Sequence, residues 1–73
     1  MTIEFLKDCI STGTNQYFVY KDYSFLFEPI GFGVEIWHYG TLVGFYKTLD
    51  DFLNNFMIYG KLIKDVLEDV DFY

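Results

Sequence analysis

The sequence predicts an α+β domain: a four-stranded antiparallel β-meander with a short N-terminal helix and a C-terminal helix packed on one face. Three observations carry this prediction. Apolar residues follow helical spacing at both ends of the chain. Between these ends, residues 16–47 are rich in the aromatic and β-branched residues that strands favour. The 73 residues, 52% of them hydrophobic, suffice for one core but not for two. We therefore expect a single domain over residues 1–73.

The N-terminal segment, residues 2–11, has the pattern of a short amphipathic helix. Thr2 is suited to cap this helix. Three apolar residues recur at i, i+3 and i+7, namely Ile3, Leu6 and Ile10. A small polar cluster follows at 11–15, and its Gly13 is suited to end the helix. We interpret the cluster as a turn that leads into the first strand.

Residues 16–47 contain three breaks, at 21–22, 29–31 and 40–41, which divide the segment into four strands. The connections are short, so neighbouring strands should be antiparallel. The turn between the third and fourth strands can lie at 39–40 or at 40–41. The two resulting registers place the same side chains on the same face of the sheet. This parity assigns nine residues to the core face: Phe18, Tyr20, Tyr23, Phe25, Phe27, Val34, Ile36, Val43 and Phe45.

The opposite, outer face carries six apolar or aromatic side chains among smaller and acidic ones: Tyr17, Val19, Leu26, Trp37, Leu42 and Tyr46. Small antiparallel sheets normally leave this face to water, and such a group would exceed the few hundred Å² of apolar patch usual for a monomer. Tyr and Trp are favoured at protein interfaces. The alternative is structural: Trp37 would cover the strand residue Gly44, and Glu28 and Glu35 would partly cover the rest.

The last third of the chain, residues 48–73, returns to helical spacing. Thr48 followed by Asp51 resembles a capping box and predicts a helix start. Six residues continue at intervals of four and three: Phe52, Phe56, Tyr59, Ile63, Val66 and Val70. An unbroken helix would be about 33 Å long, against about 23 Å for a seven-residue strand. Either the helix breaks near Gly60 or it overhangs the sheet and meets a partner; the cost of glycine in a helix favours the break.

Residues that could carry catalysis are scarce. The chain has one cysteine, Cys9, and one histidine, His38, so a zinc site lacks ligands. Cys9 on the first helix has the character of a small buried side chain. The segment at 31–33 lacks the third glycine, the lysine and the following helix of a phosphate-binding loop. We predict no catalytic residue, no metal site and no cofactor.

The formal net charge is −6, from 11 acidic residues against five lysines, with no Arg. This balance argues against nucleic-acid binding by a basic face. Asp65, Glu68 and Asp69 should share one helix face, with Asp71 just beyond. Acids there oppose the negative end of the helix dipole, so stability alone does not select them. A solvated, solubilising surface is the simplest interpretation, because no calcium-loop pattern accompanies these acids.

The single cysteine and the absence of an export signal indicate a cytoplasmic location, and no uncharged run approaches the ~20 residues that span a bilayer. We expect a small interaction or regulatory domain that self-associates or binds a protein partner through the outer face, with no nucleic-acid or membrane partner. The alternative is an inhibitor of a DNA- or RNA-binding protein, in which the acidic helix imitates nucleic acid. The absence of Ala and Arg hints at an AT-rich genome, as in many mobile elements.

Overall fold

The structure, a computed structural model, describes residues 1–73 and has the α+β fold that the sequence predicts. In chain order, its elements are α1 (Ile3–Thr12), β1 (Gln16–Tyr20), β2 (Tyr23–Ile30), β3 (Gly33–His38), β4 (Thr41–Tyr46), α2 (Leu49–Asn55), β5 (Met57–Ile58), β6 (Lys61–Leu62), α3 (Ile63–Val66), a 3₁₀ turn (Leu67–Asp69) and β7 (Asp71–Phe72). The short connections make each consecutive strand pair of the meander antiparallel, as expected.

The main sheet has one strand more than the sequence predicts. Its order is β4-β3-β2-β1-β7, because β7 returns antiparallel to β1 and pairs at Phe18 and Val19. The helices cover one face of this sheet, and no polar or charged residue is buried beneath them. The largest fully buried side chains come from both layers: Phe18, Phe27, Phe52, Leu6, Ile36, Ile63, Val34 and Val70.

Helix α1 begins and ends where its caps predict. The Thr2 hydroxyl accepts a hydrogen bond from the Phe5 N–H at 3.1 Å, and Gly13 adopts the left-handed conformation with φ 69°. Leu6 and Cys9 are its buried residues, while the other two members of the predicted stripe are exposed. α1 is the longest helix, at 10 residues, and none of the helices has the length and apolar character of a segment that crosses a bilayer.

The C-terminal third contains the predicted break, but the helix ends earlier than Gly60. Helix α2 starts at the predicted cap, where the Asp51 N–H donates to the Thr48 hydroxyl at 3.0 Å, and it ends at Asn55. β5 and β6 then form a hairpin whose two turn residues, Tyr59 and Gly60, have φ angles of 52° and 73°. Two consecutive positive φ angles are incompatible with a helix and typical of a tight hairpin turn, so the overhanging helix is ruled out.

The parity prediction holds for Leu42 but is wrong for the rest of strand β4, from Val43 onward. Ile36 pairs with Gly44 while Trp37 pairs with Leu42, which leaves Val43 as an extra residue in a β-bulge. An added residue exchanges the faces beyond it, because the side-chain period of a strand is two. The same parity holds in β1 to β3, where the core-face assignments are buried except Tyr23, which lies at the first position of β2.

Tyr46 therefore lies on the inner face, not on the outer face as the parity predicts. Its ring packs at 5.7 Å from the ring of Phe52 and at 6.3 Å from that of Phe56. Tyr46 also covers Gly44, since a Cβ there would lie 2.8 Å from the Tyr46 ring; Trp37 does not have this role. The neighbour Phe45, predicted to be in the core, is paired with Glu35 and is 41% exposed.

Candidate functional site

The outer face carries one row of apolar side chains that crosses strands β1 to β4 and continues just beyond the end of β7. Tyr17 pairs with Leu26, Leu26 with Trp37, and Trp37 with Leu42. Tyr73 extends the row beyond β7, because its N–H donates to the Tyr17 carbonyl at 3.2 Å and its ring stacks on that of Tyr17 at 5.7 Å. We call these five residues the outer row.

The outer row is not required by the core, which lies on the other face of the sheet. Tyr17, Leu42 and Tyr73 are 51%, 46% and 67% exposed, and Leu26 and Trp37 are half-buried. Scattered apolar residues are normal on a protein surface, but a contiguous row of large ones is typical of a binding surface.

Four of the five outer-row residues, all except Leu42, line a groove of about 320 Å³. Four aromatic side chains line it, namely Tyr17, Trp37, Tyr39 and Tyr73, together with Ser24, Phe25, Leu26 and Gly40. We call it the aromatic groove. The Tyr73 hydroxyl hydrogen-bonds the Ser24 hydroxyl, and the Gln16 side-chain amide donates to the Tyr73 carbonyl at 2.9 Å. These contacts hold Tyr73 against the sheet as one wall of the groove.

Trp37 contributes an unpaired hydrogen-bond donor to this region. Its indole N–H is buried and has no acceptor within hydrogen-bonding distance. An indole nitrogen can only donate, and a buried donor without an acceptor costs about 1–3 kcal/mol. Trp37 therefore carries a cost in the free protein that an added acceptor would relieve.

Tyr39 is strained and highly exposed at the rim of the groove. It occupies the first position of the two-residue turn between β3 and β4, where Tyr39 and Gly40 have φ angles of 47° and 82°. Such turns favour Asn, Asp or Gly, and a left-handed conformation costs other residues about 1 kcal/mol. The Tyr39 side chain is 79% exposed and touches the His38 ring at 4.5 Å, so little burial offsets this cost.

Glu28 and Glu35 form an uncompensated acidic pair beside the outer row. They are directly paired across β2 and β3, and lie two residues along the strands from Leu26 and Trp37. Like charges in this position are destabilising. No lysine forms an ion pair with either carboxylate; the ion pair of the structure joins Lys7 and Glu4, at 3.9 Å.

The predicted acidic surface is exposed but does not form one helix face. Asp65 lies in α3, Glu68 and Asp69 lie in the 3₁₀ turn, and Asp71 lies in β7. The regular helix ends at Val66, so the expected i, i+3 and i+4 arrangement is wrong in its geometry. Asp71 pairs with Val19, which places it on the outer face.

The structure therefore brings together four of the six residues predicted to bind a partner: Tyr17, Leu26, Trp37 and Leu42. Val19 lies half-buried in the next row of the same face, and Tyr46 is on the other face. Sequence reasoning missed Tyr39 and Tyr73 as site residues. The turn at Tyr39-Gly40 was visible in the sequence. The position of Tyr73 depends on strand β7, whose sequence reads as the end of the predicted C-terminal helix.

Cys9 and His38 occupy structural positions. Burial and the negative charge of Asp8 raise the pKa of the Cys9 thiol, which disfavours the reactive thiolate. The His38 ring nitrogen Nδ1 lies 2.9 Å from the Ser24 carbonyl oxygen, and the ring contacts Phe25 at 5.0 Å. No group of three or more His, Cys, Asp or Glu side chains is placed to hold a metal ion.

A larger cleft of about 670 Å³ lies between α1, the β2–β3 turn and the start of α2. Its lining includes Lys7 and Lys47 among apolar side chains. Lys7 pairs with Glu4 and the Thr48 hydroxyl caps α2, whereas the Lys47 ammonium and the Asp50 carboxylate form no ion pair. All the polar side chains of the lining are exposed, so the cleft lacks the buried, converging polar groups that orient a ligand.

Comparisons with protein-family models, with curated proteins and with solved structures found no match to this chain. The geometry of the outer face is accordingly the basis for the functional proposal.

Proposed function

We propose that the chain is a small protein-interaction or regulatory domain that binds a protein partner, or a second copy of itself, through the outer face. One observation carries the proposal: the outer row crosses strands β1 to β4 and extends to Tyr73 on the face opposite the core. The free Cys9 fits a reducing compartment, so we place this activity in the cytoplasm. The proposal includes no catalytic step, cofactor, nucleic acid or membrane.

The chemistry of the row supports a protein as the ligand. Tyr and Trp bury large areas with few rotatable bonds, and they are enriched among the residues that dominate binding energy at interfaces. Trp37 lies within this row, between Leu26 and Leu42. A partner that buries the three exposed members, Tyr17, Leu42 and Tyr73, would remove their apolar surface from water. Such burial is favourable by about 25 cal/mol per Å².

The test compares variants of this face with a matched variant elsewhere. Trp37→Ser and Leu42→Ser alter the outer row, whereas Phe32→Ser removes an exposed aromatic from the β2–β3 turn. Circular dichroism first checks that each variant is folded. Light scattering then measures self-association over a range of concentrations, and cross-linking in cell extract measures hetero-association.

We expect the two outer-row variants to lose the association that wild-type and Phe32→Ser retain. A chain that stays monomeric at high micromolar concentration, and whose cross-linked partners are all kept by Trp37→Ser and Leu42→Ser, would contradict the proposal.

A second candidate function is inhibition of a DNA- or RNA-binding protein by imitation of nucleic acid. The observation in its favour is that four acids near the end of the chain are exposed and form no ion pair: Asp65, Glu68, Asp69 and Asp71. Carboxylates so placed can occupy phosphate sites of a basic protein. Binding of this kind would weaken steeply with salt and be lost when the four acids are changed to Asn or Gln. Salt-insensitive binding would exclude it.

A further inference from the structure

We infer that the aromatic groove accepts a proline-rich, extended segment of a partner protein, with a Lys or Arg of that segment beside Glu28 and Glu35. The inference rests on the proposed function and specifies its occupant. It follows from the walls of the groove, an unpaired donor, a strained residue and an unpaired charge.

The walls fit proline rings. Tyr17, Trp37, Tyr39 and Tyr73 surround a narrow volume of about 320 Å³ in the middle of a sheet face. Aromatic-lined grooves bind proline-rich segments because the polyproline II helix is already extended and loses little conformational entropy on binding. A partner strand would instead pair at a sheet edge, whereas this groove lies over the inner strands β1 to β3.

The unpaired donor matches the backbone of such a segment. A polyproline II helix has no internal hydrogen bonds, so its carbonyl groups need donors from the site. Trp37 supplies an indole N–H that has no acceptor in the free protein. An α-helix would bring carbonyls that are mostly satisfied already.

The indole N–H is covered in the free protein, so the groove has to widen before a carbonyl can reach it. Rotation of the Tyr73 side chain would widen it, because this side chain is 67% exposed and one exposed hydrogen bond, to Ser24, holds its hydroxyl. The Tyr73 backbone stays in place through its hydrogen bonds to Tyr17 and Gln16.

The strain at Tyr39 has no compensation within the chain. Its ring is mostly exposed, and asparagine would fit its backbone conformation better. Strained residues at a ligand-binding rim are retained where the side chain itself is needed. In the proposed complex, the Tyr39 ring packs on a proline of the segment.

Charge distinguishes a partner from a second copy. Glu28 and Glu35 repel each other across the strands, and no lysine of the chain pairs with them. A second copy, whose net charge over the whole chain is also −6, would bring its own Glu28 and Glu35 to the interface. A Lys or Arg of a partner would instead pair with both carboxylates and relieve their repulsion.

The test is a selection of dodecapeptides from a random display library on the immobilised full chain, followed by nuclear magnetic resonance with the enriched peptides. We expect enrichment of proline together with Lys or Arg. We expect the Trp37 indole signal to shift downfield as its N–H gains an acceptor, and affinity to fall about tenfold or more in Tyr39→Asn and in Glu35→Gln. Phe32→Ser, outside the groove, should bind as wild-type does.

Enriched peptides without proline, or no enrichment at all, would overturn this inference, as would shifts confined to other surfaces. Loss of partner association in Trp37→Ser and Leu42→Ser would then still support the proposed function. If those two variants keep every partner, the proposed function fails as well, so the two failures are distinguishable.

Discussion

Tyr39 has a backbone conformation that costs free energy and a side chain that recovers little of it. Replacement by Asn should raise the free energy of unfolding by about 0.5–1 kcal/mol, because Asn tolerates the left-handed conformation. Urea denaturation measures the change. Tyr59→Asn is the matched control: Tyr59 is also left-handed, but its ring packs 4.9 Å from Tyr23 and 5.9 Å from Tyr20, so that change should destabilise. Equal destabilisation by both substitutions would refute our account of Tyr39.

The bulge exchanges the faces of Phe45 and Tyr46, so substitutions at these two residues test it. Tyr46→Ala should lower the free energy of unfolding by about 2–4 kcal/mol, since it removes a ring packed on Phe52 and Phe56 and opens a cavity. Phe45→Ala should cost about 1 kcal/mol or less, because the side chain is on the exposed face. Thermal or urea denaturation of the two variants gives the comparison. If Phe45→Ala destabilised the chain more than Tyr46→Ala, β4 would have the regular register without the bulge.

At the scale of elements, the meander was predictable because each of its turns is local. Two-residue breaks at Lys21-Asp22 and Tyr39-Gly40 fix which strands are neighbours, and alternation fixes their faces. The bulge at Val43 was not predictable in this way. Val43 is as suited to a strand as its neighbours, and the bulge is favoured by distant packing, which brings the Tyr46 ring onto α2.

The C-terminal third shows why helical spacing can mislead. Five of the six residues of the helical stripe are buried: Phe52, Phe56, Ile63, Val66 and Val70. The sixth, Tyr59, is 49% exposed, because it lies in the turn of a hairpin that interrupts the stripe between Phe56 and Ile63. The hairpin returns the chain to the same side of the sheet, so the burial pattern survives the change of secondary structure. Strand β7, and with it the site residue Tyr73, was therefore hidden within an apparently continuous pattern.

Strand pairing between β3 and β4 depends on the absence of a side chain at Gly33. A Cβ there would lie 2.6 Å from the Tyr46 carbonyl oxygen, which is backbone and cannot rotate away. Gly33→Ala should therefore cost about 1–3 kcal/mol, as overpacking does. Gly31→Ala is the control, because nothing lies within 4 Å of its added Cβ and its backbone conformation is an ordinary one. If the two variants had equal free energies of unfolding in urea denaturation, Gly33 would not lie as close to the Tyr46 carbonyl as we describe.

On the scale of the whole molecule, the packing that stabilises the fold and the surface that we propose for recognition lie on opposite faces of the sheet. The inner face and its helices bury 16 residues, none of them of a polar or charged type, so packing there needs no outside partner. The outer face holds the unpaired indole N–H, the strained Tyr39 and the repelling glutamates. Each of these three features is unfavourable in the free chain and would be relieved, or put to use, by a bound partner.

The same division predicts how stability depends on alkaline pH. Burial, together with a neighbouring carboxylate, raises the pKa of Cys9 and that of Tyr46 above their ordinary values. At alkaline pH, where these two groups lose their protons, the folded chain therefore binds more protons than the unfolded chain. By linkage, the free energy of unfolding falls as pH rises. The contribution of Cys9 is complete below about pH 8.5, its unfolded pKa, and is lost as pH rises through the folded value.

Urea denaturation between about pH 8 and pH 11 measures this dependence, because the ordinary pKa values of a cysteine and a tyrosine lie in that range. In the double variant Cys9→Ala, Tyr46→Phe, the free energy of unfolding should change less with pH than in wild-type. This variant retains most of the packing but lacks both titratable groups. A wild-type profile that is already flat, or one that the double variant reproduces, would show that these two groups do not link the core to pH. Because neither group belongs to the outer face, peptide binding by the double variant should match wild-type at neutral pH.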